Sequence, residues 1–187
     1  MFHTAAGREV RDGGGIKPDV EVKADTIPNI AFYLSATGQD STEVMFDYVV
    51  DYVARHPSIA PAGEFHLSDQ DWQDFKTRVI KSGFTYDPVS KKQFEELVKT
   101  AKFEGYYDDA RQAFDALESK LKHDVAFDLE KHRNTLVQIL EMDIVSAYYY
   151  QAGSIERGLD YDKQLREAER LLKNPEEYRK LLSPKKN

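Results

Sequence analysis

The sequence predicts a mainly α protein, a helical bundle of about six to eight helices preceded by a short β strand and turn. Three observations lead there. From Thr26 onward, apolar residues recur at three- and four-residue spacing through most of the chain. Helix-start signals stand where several of those stripes begin, with Ser68 ahead of Asp69 and Asp71, and Asn174-Pro175-Glu176-Glu177 near the end. Residues 1–25 differ, breaking into extended fragments punctuated by glycines. Helices of this length are marginal alone in water, so their apolar stripes must pack on one another.

In order, Phe2-His3-Thr4 reads as a strand end, Ala5 to Arg8 as a turn, and Glu9-Val10 as extended again. Asp12 to Gly15 turns once more. Ile16 to Val22 then runs extended, with Lys17 held away from helical geometry by Pro18. Residues 27–36 read as a short helix or a turn opened by Ile27-Pro28. Residues 42–55 put Met45, Val49, Tyr52 and Val53 on one side, and His56-Pro57 stops them. The segment 57–67, with two prolines and a glycine, reads as a linker.

Ser68 caps a helix carrying Trp72, Phe75 and Val79 as far as Ser82-Gly83. Ser90 with Gln93 has the spacing of a capping box before Phe94, Leu97, Val98 and Ala101, ended by Gly105. Asp108 or Asp109 precedes Ala110, Ala113, Phe114, Leu117 and Leu121. His123 or Asp124 starts or continues a long helix through Val125, Leu129, Leu136, Leu140, Ile144 and Ala147 as far as Gly153. Asp160 or Asp162 precedes Leu165, Ala168, Leu171 and Leu172, and Asn174 caps a last helix with Tyr178, Leu181 and Leu182. The organisation expected is therefore a segment 1–25 and a helical domain 26–187.

The 187 residues are 41% hydrophobic, enough for one sizeable core, and the 11 Tyr and 10 Phe are too many for a disordered chain. A net charge of −7 gives no electrostatic reason to bind nucleic acid or an anionic membrane. With no cysteine there is no disulfide, thiol catalysis or thiolate metal site in this sequence. No apolar run is long enough for membrane insertion, and no charged start followed by an apolar stretch marks a signal peptide. The residues just after Met1 read as the interior of a domain.

No catalytic set assembles from the residues. Gly13-Gly14-Gly15 lacks the following helix start and Gly-Lys-Ser/Thr of a phosphate cradle. Asp124, Asp128 and His132 share one face at four-residue spacing, but Glu-x-x-His is absent, so a solvated polar face is the better reading and no metal or other cofactor is expected. A metal enzyme using Asp128 and His132 stays the weakest alternative. Tyr148-Tyr149-Tyr150 spread over different helix faces, so at least one should be buried with its hydroxyl paired. The serines read as caps and turns, and no Gly-x-Ser-x-Gly elbow is present.

The stretch from Phe2 to Arg8, followed by Gly14 to Val22, resembles the end of the catalytic domain of C-terminal processing (tail-specific) serine peptidases. That family carries a pattern like Y-x-T-x-x-G-R-x-(I/V), a spacer, then G-G-I-x-P-D-x-x-V. Thr4, Gly7, Arg8, Gly15, Ile16, Pro18, Asp19 and Val22 fall in step with it. The C-terminal third is similar to members from Bacteroidetes-type bacteria. The matching residues there are Asp143-Ile144, Tyr148 to Tyr150, Gly153, Ile155-Glu156, Asp162, Gln164-Leu165, Ala168, Leu171-Leu172 and Tyr178 to Leu182.

The resemblance implies that residues 1–25 are the last strand and turn of a peptidase core. The catalytic serine, its lysine base and a PDZ module would lie upstream. It assigns no catalytic residue here, makes Thr4, Gly7, Arg8, Gly15, Ile16, Pro18 and Asp19 structural positions, and places the parent in the periplasm or cell envelope. Its implied partners are proteins: the upstream core of the same polypeptide and a second copy in a homodimer. Tyr148, Tyr149 and Tyr150 are the candidate interface, since aromatic residues are enriched there. A free-standing helical adaptor that binds a protein partner is the competing reading; it leaves residues 1–22 without a purpose.

Overall fold

The computed structural model describes residues 2–5, 7, 9–10, 13, 15, 18–35, 43–86, 89–121 and 124–183. Among them are two short strands and nine α-helices: β1 (Phe2–His3), β2 (Glu9–Val10), α1 (Asn29–Ser35), α2 (Val44–Arg55), α3 (Asp69–Lys81), α4 (Val89–Glu104), α5 (Arg111–Leu121), α6 (Val125–Lys131), α7 (Arg133–Leu159), α8 (Lys163–Leu172) and α9 (Pro175–Leu182). The mainly α reading holds. The chain divides into two compact units, Met1–Asp25 with Leu159–Asn187, and Thr26–Gly158.

The larger unit owns the core. α2 packs on α1 and α3, and α6 on α1 and α3. Trp72, Phe75 and Val79 of α3 are fully buried with Leu129 of α6 and Leu136, Leu140 and Ile144 of α7. Their spacing is that of one helix face each. Ser68 caps α3: its hydroxyl accepts the Asp71 N–H at 3.1 Å while the Asp71 carboxylate accepts the Ser68 N–H at 3.3 Å. Gly83, at φ 71°, follows the Ser82 cap and supplies the left-handed turn that a side chain would resist.

α4 and α5 pair through a turn in which Gly105 has φ 81°, and Phe114 contacts the rings of Phe94 and Tyr107. Of the stripe expected on α4, Ala101 is buried but Leu97 stays exposed. α4 starts at Val89, so Ser90 lies in the first turn and not at the cap.

From Asp124 onward the spacing predicts a single long helix, and the chain forms two. His132 ends α6 at φ −108°, ψ 16°, and α7 restarts at Arg133. α7 itself reverses at Tyr150, whose φ of 58° and ψ of −163° are not helical. Glu141 and Arg157 are 16 residues apart, about 24 Å along an unbroken helix, yet their side chains meet at 3.0 Å. The two limbs therefore lie side by side. Gly153 lies tight against the first limb, where a Cβ would fall 2.3 Å from Tyr149 Cβ and 3.1 Å from Val145 Cγ1. The helical spacing runs on past Gly153 to Leu159, but only on the second limb.

In the smaller unit β1 and β2 pair antiparallel, Phe2 opposite Val10 and His3 opposite Glu9. Asp162 caps α8 by accepting the N–H groups of Gln164 and Leu165 at 2.8 and 3.0 Å. Asn174 caps α9 and Pro175 opens it, as the sequence anticipates. The Arg170 guanidinium joins the two helices through Glu167 and Glu177. Both carboxyls are held below the usual carboxylate range by that guanidinium.

Candidate functional site

Two places bear the residues singled out from the sequence, one in each unit. In the smaller unit the Gly7 N–H donates to the Thr4 carbonyl at 2.9 Å, closing the turn between β1 and β2, and Gly7 takes φ 79°. A four-residue turn ending on a positive-φ glycine is what the Thr-x-x-Gly spacing provides. Gly15 also has positive φ, 87°. Pro18 and Asp19 are exposed, in and just before a bend. Val20 and Val22 are half-buried, alternating with exposed Glu21 and Lys23. They line a shallow depression with Lys163, Arg166 and Arg170 of α8, and Lys163 pairs with Asp25. Arg8 and Ile16 lie outside the described residues.

In the larger unit the reversal of α7 grips the segment 56–67. The Tyr148 hydroxyl donates to the His56 carbonyl, and burial pushes that phenol up from its ordinary value. The Tyr149 hydroxyl donates to the Ala60 carbonyl at 3.1 Å. Arg157 Nη1 donates to the Gly63 carbonyl at 3.0 Å, and the Leu67 N–H donates to Glu141 Oε1 at 2.9 Å. Glu141 and Arg157 are 2% and 1% exposed and paired with each other. Ala62 and Phe65 bury their side chains between these contacts. The segment 57–67, expected to be a linker, is thus clamped to the core at three points, with a fourth at His56 just before it, and these backbone groups find partners on α7.

The tyrosine run therefore divides. Tyr148 and Tyr149 spend their hydroxyls inside the chain, while Tyr150 is 79% exposed at the reversal. The sequence carries the aromatics but no signal for the reversal itself; Gly153, three residues on, is the nearest.

The remaining candidates are occupied structurally. Asp124 caps α6 by accepting the Ala126 N–H at 2.6 Å, Asp128 is buried and accepts the Tyr86 hydroxyl at 3.0 Å, and His132 terminates α6 in place of extending a common face. Among the described residues no group of three acidic or histidine side chains is placed to hold a metal. The hydroxyls of Ser35, Ser82 and Ser183 donate to carbonyls of their own helices, and that of Ser68 caps α3. None of these four bonds involves a lysine or histidine, so they form no activated nucleophile. No described helix is long and apolar enough to cross a membrane.

No curated protein and no solved structure matches the chain. Residues 32–172 match the family described as the C-terminal helical domain of a probable PDZ-protease. That span runs from within α1 to the end of α8 and takes in the core apart from Ile30 and Ala31, the clamp on segment 56–67 and the α7 reversal. The chain belongs to this family of C-terminal helical domains of PDZ-proteases.

Proposed function

We propose that this chain is the non-catalytic C-terminal part of a tail-specific serine endopeptidase, with its Ser–Lys dyad and PDZ module upstream in the same polypeptide. The parent cleaves cell-envelope proteins near their C-termini in the periplasm. The helical domain packs against the peptidase core, shapes access to it and supports self-association. The family match supports the protease setting, and the Thr4–Asp19 resemblance supports the specific class.

One observation carries the docking role. The unit that holds Thr4, Gly7, Gly15, Pro18 and Asp19 contributes none of the buried apolar side chains found among the described residues. A pair of two-residue strands is at best marginal by itself, and α8 and α9 leave Leu165, Leu172, Tyr178 and Leu182 more than a third exposed. Such amphipathic helices and a bare strand edge are stabilised by a surface to pack on. Self-association through the tyrosine run draws on Tyr150, since the hydroxyls of its two neighbours are engaged internally.

The test sets the full polypeptide beside this 187-residue chain, each incubated with an unfolded reporter carrying a C-terminal tag. The full polypeptide truncates the reporter, loses that activity when its serine is replaced, and loses it in large part when residues 159–187 are deleted. Hydrolysis by the isolated chain, or full activity without residues 159–187, overturns the reading.

A further inference from the structure

Between α1, α2 and the first limb of α7, the larger unit opens a groove of about 550 Å³. Leu34, Met45 and Val49 form its buried floor. Phe46 and Val50, 59% and 50% exposed, rise beside it with Val53. α2 is consequently apolar on two faces. Tyr48 and Tyr52 turn into the core, while Phe46, Val50 and Val53 succeed one another at i, i+4 and i+7 along the groove. A helix apolar on more than one side is ordinarily covered on each.

The groove's charge is one-sided. Glu43 and Asp143 stand in its lining, and no described lysine, arginine or histidine does. Neither carboxylate makes a hydrogen bond or ion pair among the described residues. Asp143 reaches solvent at the groove mouth, yet loss of water on its inner side pushes its carboxyl up from the ordinary aspartate value. A partly desolvated carboxylate beside an apolar surface favours a cation brought to it and repels an anion.

We propose that this groove binds a helical polypeptide segment that lays apolar anchors along Phe46, Val50 and Val53 and sets a lysine or arginine against Asp143 and Glu43. The volume lies within the roughly 300–1,000 Å³ of ordinary ligand clefts. The i, i+4, i+7 row matches the mode in which an amphipathic helix lies in an apolar groove. The carboxylates set its polarity and exclude acidic segments of the same apolar pattern. The inference stands on the groove alone and not on the peptidase reading, so the two fail separately.

A random-peptide display library panned against the immobilised 187-residue chain provides the test. The enriched peptides combine helically spaced apolar residues with lysine or arginine. The best of them, fluorescently labelled, loses about tenfold or more in affinity on Val50→Glu. On Asp143→Lys the preference turns toward a version with glutamate in place of the basic residue. Both positions are exposed, so far-UV circular dichroism and thermal melting stay close to the parent's. Should Val50→Glu fail to fold, the Asp143→Lys reversal decides alone. No enrichment, enrichment of acidic peptides, or binding indifferent to Asp143→Lys overturns the proposal.

Discussion

Replacing Arg157 by Met tests the account of the α7 reversal most directly. The guanidinium is buried, donates to Glu141 Oε2 at 3.0 Å through Nε and to the Gly63 carbonyl at 3.0 Å through Nη1. Met keeps the apolar stem and removes every donor. The substitution takes the guanidinium from the buried Glu141 carboxylate, which keeps the Leu67 N–H at 2.9 Å and the His66 ring at 3.7 Å, and breaking a buried pair costs about 3–5 kcal/mol. The Gly63 carbonyl also loses a donor. A domain of this size has roughly 5–15 kcal/mol in hand, so a fifth or more of the stability goes.

Trp72, the sole tryptophan and fully buried, reports unfolding in urea by its fluorescence. The double variant Glu141→Leu with Arg157→Met removes the stranded charge, so it should be less destabilised than the sum of the two singles by about 0.5–3 kcal/mol. It does not return to the parent's stability, because the Leu67 N–H and Gly63 carbonyl remain without those partners. A midpoint for Arg157→Met within about 1 kcal/mol of the parent, or strictly additive singles, refutes the claim that this pair holds the two limbs together.

Gly153→Ala forces a Cβ to within 2.3 Å of Tyr149 Cβ and lowers stability by at least the roughly 1–3 kcal/mol of core overpacking. Gly158→Ala, whose Cβ meets only the Met142 side-chain end at 3.4 Å, is the control and changes the urea midpoint little. Tyr150→Gly removes a side chain from backbone geometry that glycine alone tolerates easily, and raises the midpoint by about 1 kcal/mol; a loss of stability there contradicts the strained reversal. In alkali, burial pushes the phenols of Tyr48, Tyr52, Tyr86 and Tyr148 above their usual value, and for Tyr86 the bond to Asp128 adds to it. Their folded values lie above the unfolded value of about 10, so this contribution is intact below about pH 10 and is lost as pH climbs through the folded values. Tyrosinate absorbance and circular dichroism should then show a late group of tyrosines ionising together with loss of helix; ionisation of all tyrosines before any unfolding refutes it.

What was legible in the sequence is what local chemistry decides. Ser68 with Asp71, Asp162, and Asn174 with Pro175 start their helices where their side chains can reach the first free N–H groups. Trp72, Phe75 and Val79 are buried because their spacing admits one inward face. The Thr4–Gly7 turn comes from a glycine at its end. The reversal at Tyr150 was not legible, since no proline or glycine stands at it and the helical period continues on both sides. It is imposed by a pair 16 residues apart and by a clamp on a segment about 90 residues upstream. For the same reason segment 57–67 reads as a linker: its prolines and glycine announce irregular backbone, but nothing local announces that α7 satisfies that backbone. The groove along α2 escaped because Phe46 and Val50 extend an apolar stripe that the spacing assigns to the core, and only packing shows that they point elsewhere.

Those two kinds of determinant divide the molecule energetically. The buried pair, the tyrosine bonds and the fully buried apolar side chains of α3, α6 and α7 belong to residues 26–158. The segment that resembles the peptidase edge belongs to one unit with α8 and α9, whose described polar contacts include the helix caps, the Lys163–Asp25 pair and Arg170's surface bridges to Glu167 and Glu177. Exposed pairs of that kind contribute little in water. Opening of the smaller unit should therefore cost far less than global unfolding, and its amides should exchange with solvent first in the isolated chain. If the full polypeptide supplies the surface that β1, β2, α8 and α9 lack, the same amides become protected there while those of α3 and α7 change little. Equal protection of both units in the isolated chain would mean that the smaller unit needs no partner, and would remove the physical ground for reading it as a docking element.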